Sequence, residues 1–163
     1  MTEKKHILSI LVENKPGVLS RITGLFSGRG YNIESISASE TTEPNVTRIC
    51  MVTYGNEPVL EQIKKQLYKL INVIKVSDLT HIDTVQRELT LIKVKACKPE
   101  NRAEILRIVD IFRLKVVDVG QEHYTIQATA DEAKLDAIFS LLKPMGIKDV
   151  ARTGIIAMPR EPK

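Results

Sequence analysis

The chain has 163 residues, of which 43% are hydrophobic and 27% charged, a composition typical of one medium globular domain or two small ones. Its net charge of +4 is small and scattered, and no apolar run approaches the ~20 residues that a membrane helix requires. Because the first residues also lack the apolar core of a signal peptide, we expect a cytoplasmic protein with no membrane partner.

The first half of the chain predicts the element order β-α-β-β-α-β. The first helix is predicted to begin at Pro16, whose missing N–H suits a first helical turn, and to end at Gly28 and Gly30. Its apolar positions repeat at helical spacing, at Val18, Leu19, Ile22, Leu25 and Phe26. A second helix is predicted to begin at Glu57. The predicted strands are residues 6–13, 31–40, 46–54 and 73–82.

The same element order is repeated after a polar segment at residues 83–86, without similarity of sequence. Helices are predicted over residues 99–113 and 131–145, and strands over residues 87–97, 114–121, 123–130 and 147–158. Each half therefore predicts a ferredoxin-like βαββαβ sandwich of class α+β, with two helices on one face of an antiparallel sheet. We place the domains at residues 1–83 and 84–163. We expect a homodimer, because each sandwich leaves an edge strand and one sheet face uncovered.

The chain contains no constellation of catalytic residues. His6, His81 and His123 lie in separate segments, and there is no zinc, phosphate-loop or dinucleotide motif. An acylphosphatase-like site needs an arginine in the loop before the first helix, whereas Arg21 lies within that helix. We therefore predict no catalytic site and no metal site on this chain.

The aromatic content of the chain argues against a nucleic-acid partner. RNA-recognition domains share the element order, but they stack bases on aromatic side chains of the first and third strands. Only Tyr54 is aromatic there, and the chain as a whole is 4% aromatic with no tryptophan. We expect no nucleic-acid binding.

The loop from Asn14 to Gly17 has the features of a small-ligand site. The N–H groups at a helix N-terminus attract a carboxylate, and glycine lets a ligand approach the backbone closely. The amides of Asn14 and Asn32 can accept from an ammonium group and donate to a carboxylate. From the residues alone, an ordinary turn explains this loop equally well.

Two runs in this region resemble an ACT domain. They are E-N-x-x-G-x-L-S-R at residues 13–21 and R-G-Y-N-I-E-S at residues 29–35. More narrowly, residues 7–80 closely resemble the small regulatory subunits of acetohydroxyacid synthase (acetolactate synthase), and the likeness continues more loosely to the C-terminus. The resemblance implies that valine, with leucine or isoleucine as alternatives, binds between two ACT domains. It places the effector contacts at Asn14, Gly17, Val18, Leu19, Asn32 and Ile33, with loop support from Pro16 and Ser20. The second half has no matching loop, so we expect no second amino-acid site there.

The resemblance also implies a partner, a large catalytic subunit that carries thiamine diphosphate, Mg²⁺ and FAD. The chain would activate that subunit and make it subject to valine feedback in the synthesis of valine, leucine and isoleucine. The competing hypothesis is a stand-alone ACT-type sensor that regulates another enzyme or a transcription factor. The sequence shows no helix-turn-helix segment for reading DNA.

Overall fold

The computed structural model describes residues 4–161, which form two compact units. The first unit contains residues 4–85 together with 155–161, and the second contains residues 86–154. Each unit has an antiparallel sheet with two helices, which confirms the predicted tandem of ferredoxin-like α+β sandwiches. The first unit passes into the second after residue 85, close to the boundary predicted after residue 83. Residues 155–161 differ from the prediction, because they belong to the first unit and not to the second.

The first unit follows the predicted order of strands and helices. Its elements are β1 (Lys4–Glu13), α1 (Val18–Ser27), β2 (Ile33–Glu40), β3 (Val46–Gly55), α2 (Glu57–Leu67) and β4 (Val73–Asp78). The spatial order is β2-β3-β1-β4, and every neighbouring pair is antiparallel. Strands β2 and β4 are therefore the two edges of this sheet.

Both faces of the first sheet are covered by apolar side chains. The helices pack on one face, where the stripe of α1 predicted from the sequence supplies the buried residues Val18, Ile22 and Phe26. On the other face, Ile155 and Ala157 of the C-terminal segment pack with Ile7, Cys50 and Val52. Burying these residues explains why the C-terminal segment belongs to the first unit.

The second unit repeats the architecture. Its elements are β5 (Thr84–Lys95), which begins in the first unit, and then α3 (Pro99–Phe112), β6 (Lys115–Val119), β7 (His123–Ala130), α4 (Glu132–Leu142) and β8 (Ile147–Arg152). The spatial order is β6-β7-β5-β8. Asp131 caps α4 by accepting a hydrogen bond from the Lys134 N–H at 3.0 Å. The core is built by alternate residues of the central strands, such as Ile92, Val94 and Ile126.

Three of the predicted boundaries are wrong for a local physical reason. The first helix begins at Val18, because Gly17 has φ +83°, which a right-handed helix cannot contain. The predicted last strand is divided into β8 and β9 (Ile156–Pro159) by a loop in which Gly154 has φ +80°. Helix α4 also ends early, at Leu142, where a short 3₁₀ turn that contains Pro144 follows.

Candidate ligand-binding site

The chain enters α1 through a tight turn made by Lys15, Pro16, Gly17 and Val18. Gly17 has φ +83° and ψ −6°, and the Val18 N–H donates to the Lys15 carbonyl at 3.3 Å. These are the properties of a type II turn, in which proline occupies the second position and glycine the third. Pro16 therefore belongs to the turn and lies outside the helix. The turn exposes the first N–H groups of α1 at its outer end.

A buried asparagine fixes this turn to the rest of the sheet. Asn72, which precedes β4, accepts from Arg21 Nη1 at 2.8 Å and donates through Nδ2 to Glu13 Oε2 at 2.7 Å. The Asn72 carbonyl also accepts from the Glu13 N–H at 2.9 Å. The hydrogen bonds from Lys15 and Asn72 lower the pKa of the Glu13 carboxyl. The end of β1 and the first turns of α1 are thus held by side chains from distant parts of the sequence.

Asn14 connects the end of β1 to the end of β2. Its backbone N–H donates to the Asn45 carbonyl at 2.7 Å, and its side-chain amide donates to Glu40 Oε1. One N–H of Asn14 Nδ2 is used in this way, so its second N–H and its acceptor Oδ1 remain to be offered to a ligand. Neither Glu40 nor Asn72 was identified as a site residue from the sequence, since each acts through a partner far away in the chain.

A cavity of about 290 Å³ lies beside this turn, between α1 and the ends of β1, β2 and β3. Its apolar floor is formed by Val12, Val18 and Ile49, which belong to the hydrophobic core. Its polar border contains Asn14, Glu40 and Thr47. A cavity with an apolar floor and a few polar groups at its border suits a small amphipathic ligand.

The N-terminus of α1 places a partial positive charge at one end of this cavity. Gly17 is the N-cap residue and has no side chain to satisfy the first N–H groups, and the first turn contains no acidic residue. The N–H groups of Leu19 and Ser20 have no carbonyl partner within the helix, as at any helix N-terminus. Such an end stabilises a carboxylate by about 0.3–1 kcal/mol, and direct N–H bonds add to this.

The structure brings together some of the predicted site residues. Asn14, Val18 and Leu19 line the cavity, and Gly17 shapes the turn beside it. Pro16 and Ser20 are exposed neighbours of the same turn. Their predicted role in supporting the loop stays a prediction.

Asn32 and Ile33 lie elsewhere in the first unit. Ile33 is the first residue of β2 and is paired with Thr53, whereas Glu40 beside the cavity is its last residue. Asn32 contributes its carbonyl, which accepts from Thr53 Oγ1 at 2.7 Å. At about 3.3 Å per residue, β2 separates the two ends by roughly 23 Å. Within one chain, Asn32 therefore does not meet Asn14.

Residues 4–161 offer no metal site and no membrane-spanning helix. No three histidine, cysteine, aspartate or glutamate side chains of these residues lie close enough to hold a metal ion. None of the helices in this part of the chain is both long and apolar enough to cross a membrane. His6 is buried, with Nε2 at 3.0 Å from the Gly55 carbonyl oxygen and Nδ1 at 3.3 Å from Thr80 Oγ1. Both ring nitrogens are therefore engaged in hydrogen bonds within the fold.

Two sequence families match successive parts of the chain. The family described as "AHAS small subunit-like ACT domain" matches residues 8–75, and that described as "Small subunit of acetolactate synthase" matches residues 87–161. The chain is 51% identical over 158 residues to the acetolactate synthase small subunit of Aquifex aeolicus, which covers 97% of this chain and 82% of the relative. It is 49% identical over 160 residues to the probable acetolactate synthase small subunit of Methanothermobacter thermautotrophicus. That match covers 98% of this chain and 95% of the relative.

A solved structure agrees with these sequences. The acetolactate synthase small subunit from Thermotoga maritima superposes with a TM-score of 0.88 at 40% identity, covering 98% of this chain and 99% of that one. The resemblance inferred from residues 13–21 and 29–35 is therefore confirmed. The chain belongs to the family of acetolactate synthase small subunits, which are regulatory and not catalytic, and its first unit contains their ACT domain.

Proposed function

We propose, from this family membership, that the chain activates the large catalytic subunit of acetolactate synthase and makes that subunit sensitive to valine. Thiamine diphosphate, Mg²⁺ and FAD would then be held by the large subunit. Valine would bind in the cavity beside the start of α1. This role requires a site for a small zwitterion with an aliphatic side chain.

The observation that carries the proposal is the combination of groups around that cavity. The N–H groups at the start of α1 suit the ligand carboxylate. The carboxylate of Glu40 and the Oδ1 of Asn14, at the border, suit its ammonium group. Val12 and Val18 offer an apolar surface for a branched side chain. Together these groups match the three parts of valine.

The position of Asn32 and Ile33 supports a site that is completed by a second chain. Strand β2 is an edge of its sheet and pairs with β3 alone among the described strands. If two copies paired antiparallel through β2 about a two-fold axis at its middle, the ends of the strand would exchange places. The partner subunit's Ile33 would then lie opposite Glu40, beside Asn14 and the cavity.

The other edge of the sheet is less suited to such pairing. The hydroxyl of Tyr68 donates to the Val76 carbonyl at 3.0 Å and accepts from the Val76 N–H at 3.2 Å. This side chain occupies the outward backbone groups of β4 at the point where another strand would bind. The proposed homodimer therefore forms through β2.

The expected affinity is modest. A feedback effector that responds to its cellular pool binds with a Kd of about 10 μM to 1 mM, which corresponds to roughly −4 to −7 kcal/mol. Leucine differs from valine by one methylene group, which is worth only ~1–3 kcal/mol in an apolar pocket. We therefore expect a partial response to leucine and isoleucine.

The test is reconstitution with a thiamine-diphosphate-dependent large subunit and measurement of acetolactate formation with and without valine. The wild-type chain should raise the rate and make it sensitive to valine. Asn14→Ala should raise the valine concentration for half-inhibition at least about tenfold, because a hydrogen bond to a charged group is worth about 1.5–3 kcal/mol. Activation should be retained.

Gln62→Ala, on the exposed face of α2, is the matched control and should leave both activation and valine sensitivity unchanged. Unchanged inhibition in Asn14→Ala would overturn the assignment of the site. Failure of the wild-type chain to stimulate the large subunit would overturn the proposed function and favour a stand-alone amino-acid sensor.

A further inference from the structure

The first unit has a second cavity, on the face of its sheet that is remote from the helices. It measures about 270 Å³, and the residues that border it include Ser37, Ser39, Glu40, Arg48, Ile156 and Met158. All of these residues belong to the first unit. Alternate residues of a strand point to opposite faces. The cavity beside α1 uses Ala38 and Thr47 of the same two strands, so one cavity lies on each face.

Arg48 supplies this second cavity with a positive charge that has no ion-pair partner among residues 4–161. Glu40 also borders the cavity, but its carboxylate accepts from the side-chain amide of Asn14 and forms no salt bridge with Arg48. Its side chain is half-buried, and Nη1 donates to Ser9 Oγ at 3.0 Å. No carboxylate in residues 4–161 forms a salt bridge with it at 4.0 Å or less. A guanidinium group has five N–H donors, so most of them remain for another acceptor. A partly desolvated cation of this kind is satisfied by an anion, best by a planar carboxylate that accepts two hydrogen bonds.

The remaining walls restrict what that anion can be. The hydroxyl groups of Ser37 and Ser39 can donate further hydrogen bonds to an anion. On the opposite side, Ile156 and Met158 present exposed aliphatic surface, with the two side chains 54% and 62% exposed. A free phosphate would leave this apolar wall uncovered, whereas an acid with a short aliphatic chain would cover it.

We infer that this cavity is a second small-molecule site, which binds an aliphatic carboxylate through Arg48 and packs its hydrocarbon chain on Ile156 and Met158. The site is separate from the valine site proposed above and does not depend on it. Because Ser39 and Glu40 border both cavities, ligands on the two faces of the sheet would contact the same end of β2.

The experiment is a titration of the ¹⁵N-labelled full chain with isovalerate, which has the carboxylate and aliphatic chain of a branched acid but no ammonium group. We expect saturable chemical-shift changes at the amides of Ser37, Arg48 and Ile156. Arg48→Met, which keeps a long side chain without the charge, should weaken binding about tenfold or more. The control is Arg29→Met, at an exposed arginine that borders neither cavity, and it should bind isovalerate as the wild type does.

Three results would overturn the inference. They are the absence of saturation by isovalerate in the wild type, an unchanged Kd in Arg48→Met, and shift changes confined to Leu19 and Ser20 beside α1. If Arg48→Met does not fold, Arg48→Lys keeps the charge without the fork of N–H donors and should bind several-fold more weakly. Inorganic phosphate is the comparison ligand, and binding as tight as that of isovalerate would overturn the role of the aliphatic wall.

Discussion

Replacing Gly17 with alanine isolates the conformational demand of the turn before α1. Gly17 has φ +83°, and a Cβ built on it meets no atom within 4 Å. The added methyl group therefore causes no clash, and the cost arises from the backbone conformation alone. Holding a residue with a Cβ in the left-handed region costs about 1–2 kcal/mol. Gly17→Ala should lower the free energy of unfolding of the first unit by this amount.

Gly24 provides a matched control within the helix that follows. It lies inside α1, and a Cβ there also meets nothing within 4 Å. Its backbone is helical, so Gly24→Ala should raise stability by about 0.5–1 kcal/mol. The same chemical change is thus expected to have opposite signs at the two positions. Gly17→Asn should cost less than Gly17→Ala, because asparagine tolerates the left-handed region better.

The assay is urea denaturation of the full chain, combined with hydrogen exchange of peptides that cover residues 14–27. Hydrogen exchange assigns the change to the first unit, since the chain has two compact units that need not unfold together. A Gly17→Ala variant as stable as the wild type would refute the reasoning. So would a change of the same sign in both glycine variants.

Three further predictions concern other parts of the chain. Arg152→Met should destabilise the second unit by about 2–4 kcal/mol in urea denaturation, because it leaves the buried Glu88 carboxylate without the two N–H donors now at 2.6 and 2.7 Å. A loss below 0.5 kcal/mol, as roughly expected of an exposed pair, would contradict this. Tyr68→Phe should cost about 1 kcal/mol and speed hydrogen exchange in β4, because it frees that edge; unchanged exchange would argue against edge protection. Iodoacetamide should label exposed Cys97 well before Cys50, since burial shields the Cys50 thiol and raises its pKa, and higher pH should accelerate Cys50. Equal labelling rates at neutral pH would disagree with the burial of Cys50.

Local patterns in the sequence were sufficient for most of the secondary structure. The apolar stripe of α1 matches the buried residues Val18, Ile22 and Phe26, because a helix must place one face in the core. The start of α2 at Glu57 was likewise predicted, and Asn56 caps it by accepting from the Val59 N–H at 3.0 Å. Such features depend on residues a few positions apart, which a sequence displays directly.

The Pro16–Gly17 pair shows where a local pattern is ambiguous. Proline suits both the first turn of a helix and the second position of a type II turn. The following glycine should have favoured the turn, since its third position requires positive φ. The structure resolves the ambiguity by holding the residues around this turn through Asn72, which lies 59 positions from Glu13.

The sequence by itself determined the element order, the family and the residues of the loop that begins at Asn14. Only the tertiary structure showed that Asn14 meets Glu40, 26 positions away, while Asn32 lies at the opposite end of β2. It also assigned residues 155–161 to the first unit. The physical reason is that strand pairing and the covering of a sheet face depend on contacts between distant residues, which leave no periodic signal in the chain.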